Sequence, residues 1–132
     1  DLVFRVGPRA EEMKKLRQSE FPGGMSHACE LETSAMLHLD PGLVDMSRAV
    51  KEMAPKSSEF TWGDIMLGAW YSPVLAVGFT SRGSRTGIFG DPTVATAAKG
   101  KAWLETAAEN LATFILEWQA RPIPPRVDHH QQ

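Results

Sequence analysis

The sequence has a single cysteine, Cys29, so no internal disulfide can form, and that frugality fits a reducing, cytoplasmic compartment. It has no surplus of either charge: 14 Lys+Arg stand against 16 Asp+Glu, a balance that leaves no electrostatic footprint for nucleic acid or for an anionic membrane surface. It has no apolar run near the roughly 20 residues that span a bilayer, and no charged-then-apolar opening of the secretory kind. It has no internal repeat and no low-complexity tract, and Gly83-Ser84-Arg85-Thr86-Gly87 does not make a phosphate-cradling nucleotide loop. An initiating methionine is also missing, since the chain opens at Asp1 and runs straight into a strand-like stretch, Leu2-Val3-Phe4-Arg5-Val6.

What is present is enough for about one domain: 132 residues can bury a core but are few for a two-domain enzyme. Pro8 suits the first turn of a helix, and residues 9–18 are rich in helix formers, predicting a surface-lying helix. Phe21-Pro22-Gly23-Gly24 reads as a loop of the kind that borders sites. Residues 27–39 return to a helical pattern that Asp40-Pro41-Gly42 ends, residues 44–53 suggest one more helical stretch, and residues 51–58 read as an exposed connector. Val74-Leu75-Ala76-Val77-Gly78-Phe79 has the continuous apolar character of a strand buried on both faces.

After a glycine-punctuated loop over residues 81–90, Asp91-Pro92-Thr93 supplies a cap and a proline for a long helix over residues 93–120. Along it Leu104, Ala108, Leu111, Ile115 and Trp118 form one apolar stripe. Residues 121–132, proline-rich and ending His129-His130-Gln131-Gln132, read as a surface tail beyond a domain of residues 1–120. Strands mixed with long amphipathic helices predict an α/β layered fold with helices covering a partly parallel sheet.

The chemistry concentrates in Ser26-His27-Ala28-Cys29-Glu30-Leu31-Glu32-Thr33-Ser34. If helical winding starts near Ser26, then His27, Glu30 and Ser34 share a face, bringing an imidazole, a carboxylate and a hydroxyl together. Imidazole and carboxylate are ligands for zinc or manganese, and a histidine beside an activated water can pass a proton to a leaving group. Glu32 points elsewhere and is placed to orient its neighbours or cap the turn. Spacing alone admits a plainer reading, a helix capped by Ser26 with an acidic first turn and an exposed histidine.

The wording of this block, continued by Met36-Leu37-His38-Leu39-Asp40-Pro41-Gly42-Leu43-Val44-Asp45-Met46, resembles the second signature of the creatininase family, His-Ala-Gly-Glu, a variable residue, then Glu-Thr-Ser. The resemblance runs on through residues 86–96 and Lys99-Gly100. It implies a three-layer α/β/α sandwich and a metal-dependent amidohydrolase, commonly hexameric, that opens an amide or related C–N bond in a small, possibly cyclic, substrate. It further implies water activated between two divalent ions, zinc or manganese. His27 would be the catalytic proton donor, Glu30 a metal ligand, and Glu32, with Thr33 and Ser34, a supporting catalytic residue. Cys29 replaces the family's glycine, which puts the shape of the turn in question.

The family's first block, a glutamate followed by His-Gly-Pro-His-Leu-Pro and an aspartate, and its middle Asn-Gly-His-Gly-Gly-Asn block do not occur here. The chain therefore reads as a C-terminal half, from chain cleavage or a split enzyme, whose partner is an N-terminal half-chain carrying the other metal ligands. The competing expectation is a non-catalytic subunit or scaffold that keeps the fold. Creatinine-hydrolysing members have a tryptophan a few residues before the equivalent histidine where this chain has Gly23-Gly24, so creatinine is not the first expectation. Formamides, peptide-like precursors of cofactors and cyclic sugar derivatives, the substrates of related members, stay open.

Other residues weigh less. His38 lies within a helix near apolar neighbours and His129-His130 in the tail, so none is expected to ligate metal. Arg82, Arg85 and Thr86 would suit an anionic group of a substrate or simply form a solvated basic turn. Trp62, Trp70 and Tyr71 suit a core or subunit interface better than a pocket wall. Cys29 could act as a nucleophile only with an activating base and a lowered pKa.

Overall fold

The computed structural model describes residues 9–54, 58–64 and 79–131. The strand expected at residues 2–6, most of the apolar run of residues 74–79, and Trp70 and Tyr71 lie outside the described residues.

Helix α1 is Ala10–Lys15, with Glu11 and Glu12 in its first turn and Lys14 and Lys15 in its last, the order that complements the helix dipole. It is shorter than residues 9–18 and less superficial than expected, because Met13 is buried. The Met13 carbonyl accepts from Trp103 Nε1 at 3.0 Å, and its sulfur accepts from Thr106 Oγ1 at 3.3 Å.

Strand β1, Met25–His27, pairs antiparallel with β2, Phe89–Gly90. Met25 lies opposite Gly90 and His27 opposite Phe89, with a bulge that places Ser26 between the two pairs. Gly90 is also bridged on its other side by Glu52, through bonds of 2.9 Å from Glu52 N and 2.6 Å from Gly90 N. A side chain has no room there: φ is +153°, and a Cβ would stand 2.7 Å from both the Cys29 Cβ and the Gly24 carbonyl oxygen.

Helix α2 is Glu30–Leu39 and ends where proline was expected to stop it. Asp40 then accepts from Gly42 N at 3.1 Å to cap the 3₁₀ turn Pro41–Leu43. The helical stretch expected over residues 44–53 reduces to the 3₁₀ turn Met46–Arg48. Its cause is Asp45, whose carboxylate accepts from both Ser47 N at 3.0 Å and Ser47 Oγ at 2.6 Å, a local bond that competes with helix propagation. The loop expected at residues 81–90 contains a single helical turn, α3, Thr80–Gly83, before β2.

Helix α4, Ala97–Gln119, starts later than Asp91-Pro92-Thr93 suggested. Asp91 caps only the 3₁₀ turn Pro92–Val94, and Thr96 caps the long helix by accepting from Lys99 N at 3.3 Å. Helices α2 and α4 meet at Gly100. Around that contact Met13, Met25, Cys29 and Trp103 form the core, with Leu16, Leu31 and Ala102 packed against it.

The buried residues of α4 are Gly100, Trp103 and Thr106, and the apolar stripe read from the sequence is a different face. Beyond Asn110 every residue of the helix is exposed, including Leu111, Phe114, Ile115 and Trp118. Residues 121–130 are exposed throughout. No helix among the described residues is long and apolar enough to cross a membrane.

Candidate functional site

The structure separates the three residues that helical spacing grouped. His27 is the last residue of β1 and lies exposed, so it does not share a helix face with Glu30 and Ser34. The reason is the turn that follows. Ala28 takes the left-handed backbone, φ 48°, and Cys29 is extended at φ −96° and ψ −171°, so winding begins only at Glu30. Cys29 is accommodated without backbone strain in place of the family's glycine, because the left-handed position belongs to its neighbour.

Glu30 is fully buried at the first residue of α2. Gln18 N donates to its two oxygens at 3.0 and 3.2 Å and Ser19 N at 2.9 Å, while Lys99 Nζ on α4 stands 2.6 Å from Oε1. Ser34, one turn further along the same face, is also fully buried, and its Oγ accepts from Thr96 N at 3.1 Å. Glu32 is exposed and turns back to accept from Cys29 N at 3.2 Å, completing a capping box. The block thus divides into two residues that lock α2 to α4 and two, His27 and Glu32, that remain at the surface.

Cys29 is fully buried, and burial, reinforced by the negative charge of Glu32, pushes its thiol up to about 12. A thiol held there carries negligible thiolate near neutrality, which removes the nucleophilic role. His38 lies on α2, between Leu37 and Leu39, and is exposed. His129 and His130 are exposed in the tail, where His130 Nδ1 lies 3.2 Å from Asp128.

Three groups without a local sequence signature brace the frame. Arg17 makes a two-pronged pair with Asp64, at 2.7 and 2.6 Å, and Asp64 also accepts from Gly23 N at 3.0 Å, so the segment leading into β1 is tied down. Glu52 accepts from Arg85 N at 2.7 Å, from Thr86 N at 3.1 Å and from the Thr86 hydroxyl. The Thr86 hydroxyl first, and the Arg85 N–H next, draw the Glu52 carboxyl down to about 2. Of the two readings of the turn around Arg85 and Thr86, a substrate-anion site or a solvated basic turn, its backbone N–H groups serve neither outright, since the anion they hold is the carboxylate of Glu52. Arg82 instead lies over the Phe79 ring, 5.1 Å from its centroid. Lys99 is the third, and only its distance in sequence from Glu30 hid it.

An open groove lined by Leu43, Asp45, Arg48, Val50, Thr86 and Ile88 contains none of His27, Glu30 or Glu32. The chemistry-bearing side chains, not this groove, define the candidate site. Among the described residues no three His, Cys, Asp or Glu side chains gather as a metal cage. The donor set described here therefore does not by itself fit a pair of divalent ions.

The family model for creatininase, described as creatinine amidohydrolase, matches residues 2–115. Mycofactocin precursor peptide peptidase from Mycobacterium tuberculosis strain CDC 1551 / Oshkosh is 32% identical over 102 residues, covering 76% of this chain and 36% of that protein. The protein of the same description from Mycolicibacterium smegmatis is 32% identical over 98 residues, covering 74% and 35%. Among solved structures, a candidate creatinine amidohydrolase from Bacteroides fragilis superposes with a TM-score of 0.62 at 23% identity, over 93% of this chain and 43% of the other. A creatininase carrying a tryptophan-to-alanine substitution gives 0.60 at 26% identity, over 89% and 40%. The chain spans about a third of the length of the curated relatives it matches.

Proposed function

This chain belongs to the creatininase family, and on that premise we propose that it contributes the proton-donating part of a hydrolytic centre that cleaves an amide or related C–N bond. The observation that carries the reading is the setting of His27: an accessible imidazole at the end of a paired strand, followed by a turn whose next residues are buried and bonded. A histidine so mounted can hold a proton toward a leaving nitrogen while a water adds to the carbonyl carbon, general acid catalysis of the kind that contributes about 10²- to 10⁴-fold. Glu32, exposed at the same turn, is the supporting residue through its hold on Cys29 N. The description of the curated relatives as precursor peptide peptidases favours a peptide amide over a small cyclic amide as substrate.

Glu30 we reassign from metal ligand to internal anchor, since its oxygens receive two backbone N–H groups and the Lys99 ammonium. Divalent ions, zinc or manganese, belong to this proposal only as groups whose ligands come chiefly from a complementary N-terminal segment. That segment, an oligomeric assembly of the pair and a cytoplasmic location complete the reading. A second reading, a non-catalytic scaffold, is favoured by one observation: the apolar residues of the outer half of α4 are exposed, as on a subunit built for packing.

The two readings separate by experiment. The chain is assembled with an N-terminal segment bearing the two family blocks that it lacks, and hydrolysis of short peptides and simple amides is followed beside metal content. Turnover that needs both segments, with divalent ions retained only by the pair, supports the enzyme. Stable assembly without turnover on any of these substrates supports the scaffold.

A further inference from the structure

Lys99 is a cation set among oxygens. Its Nζ lies 2.6 Å from Glu30 Oε1, 2.6 Å from Gln18 Oε1 and 2.7 Å from the Val94 carbonyl, and its side chain is only 11% exposed. An ammonium has three N–H donors, and here each has an acceptor from a different stretch of chain: the first turn of α2, the segment after α1, and the 3₁₀ turn before α4. Glu30 is saturated from the other side by Gln18 N and Ser19 N. A buried ion pair contributes little net stability compared with apolar residues of the same shape, so its use is more readily found in specifying one geometry.

The geometry it specifies is the start of α2. Glu30 is the first helical residue, Glu32 in the same turn holds Cys29 N, and Ala28 in its left-handed conformation links that turn to His27. If the first turn of α2 rotates, the strand end carrying His27 turns with it. We propose that Lys99 is a positioning residue for the His27 centre, its ammonium acting through Glu30 to fix the direction in which β1 presents the imidazole. This inference rests on the reading of His27 as proton donor.

Simple charge attraction and this arrangement make different predictions. The two backbone N–H groups at Gln18 and Ser19 require an acceptor at position 30, so the pair cannot be inverted. A neutral pair can replace it in part: in Glu30→Gln with Lys99→Met, the amide oxygen still receives those N–H groups, and the amide NH₂ faces the oxygens that Lys99 left.

The test uses the assembled two-segment protein and steady-state hydrolysis of a peptide amide. Lys99→Met is expected to lower kcat by about 10- to 100-fold with KM within about threefold, the signature of a misdirected catalytic group. The double variant Glu30→Gln/Lys99→Met is expected to recover at least a third of the lost factor in logarithmic terms, whereas the exchange Glu30→Lys/Lys99→Glu is expected to recover none. If Lys99→Met does not fold, Gln18→Ala removes one acceptor from an exposed side chain and should still lower kcat several-fold. Unchanged kcat in Lys99→Met, or in Gln18→Ala where that variant stands in, overturns the proposal, as does recovery in the inverted pair. His27→Ala measured alongside distinguishes the failures: a fully active His27→Ala overturns both the functional reading and this inference, while an inactive one beside a normal Lys99→Met overturns the positioning role alone.

Discussion

A Cβ placed on Gly100 would stand 1.9 Å from the carbonyl oxygen of Ser34, so α4 and α2 touch backbone to backbone at that point. The same stretch of α2 is held by the Ser34 hydroxyl on Thr96 N and by Glu30 on Lys99. Replacing Gly100 with Ala must part the two helices. The cost is expected to reach or exceed the ~1–3 kcal/mol typical of overpacking, outweighing the gain in helix propensity. Urea denaturation should register it as a lower midpoint, and an unchanged midpoint would contradict the packing described.

Arg17 and Asp64 form a pair whose side chains are 4% and 0% exposed. Removing one partner leaves the other charge buried, a loss of about 3–5 kcal/mol in comparable pairs. Asp64→Asn and Arg17→Met should each destabilise the protein on that scale in chemical denaturation.

Cys29 should behave as an inert core residue. Alkylation at pH 8 is expected to be slow in the native protein and fast in denaturant, and Cys29→Ala should retain turnover. Its thiol is raised from an ordinary 9.0 to about 12, so the unfolded chain releases this proton first. The associated stability is fully present below pH 9 and is lost as pH rises toward 12. A midpoint of denaturation that does not fall over this interval would count against the burial of the thiol.

Glu52 predicts the opposite direction. Its carboxyl is lowered from 4.5 to about 2 by the Thr86 hydroxyl and the Arg85 N–H, so the native state gains from its ionised form above pH 4.5 and loses that gain as pH falls toward 2. Protection of the Arg85 and Thr86 amides against hydrogen exchange, after correction for the intrinsic pH dependence of exchange, should decline over that interval. In Glu52→Gln the decline should be absent and protection low throughout.

These outcomes depend on contacts of very different legibility. The block from His27 to Ser34 stood out in the sequence because its wording and its polar residues are local. The stop at Asp40-Pro41-Gly42 was equally plain, since proline and glycine act on the backbone where they sit. The position of His27 outside the helix was not legible, because helical spacing does not reveal that Ala28 adopts a left-handed turn. Glu30 illustrates the larger difficulty: whether a carboxylate binds metal or an ammonium depends on which residue the fold brings to it, and Lys99 comes from 69 residues further along the chain. The apolar stripe on α4 misled for a related reason, as the face covered by α2 was chosen by Gly100 and Trp103, a small residue and a large one whose pairing no periodicity expresses.

The proposed donation of a proton by His27 in C–N bond hydrolysis meets its sharpest check in the turnover number of His27→Ala in the assembled protein. A fall in kcat of about 10²- to 10⁴-fold is expected, with assembly and metal content unchanged. A kcat within twofold of the unaltered protein would contradict it.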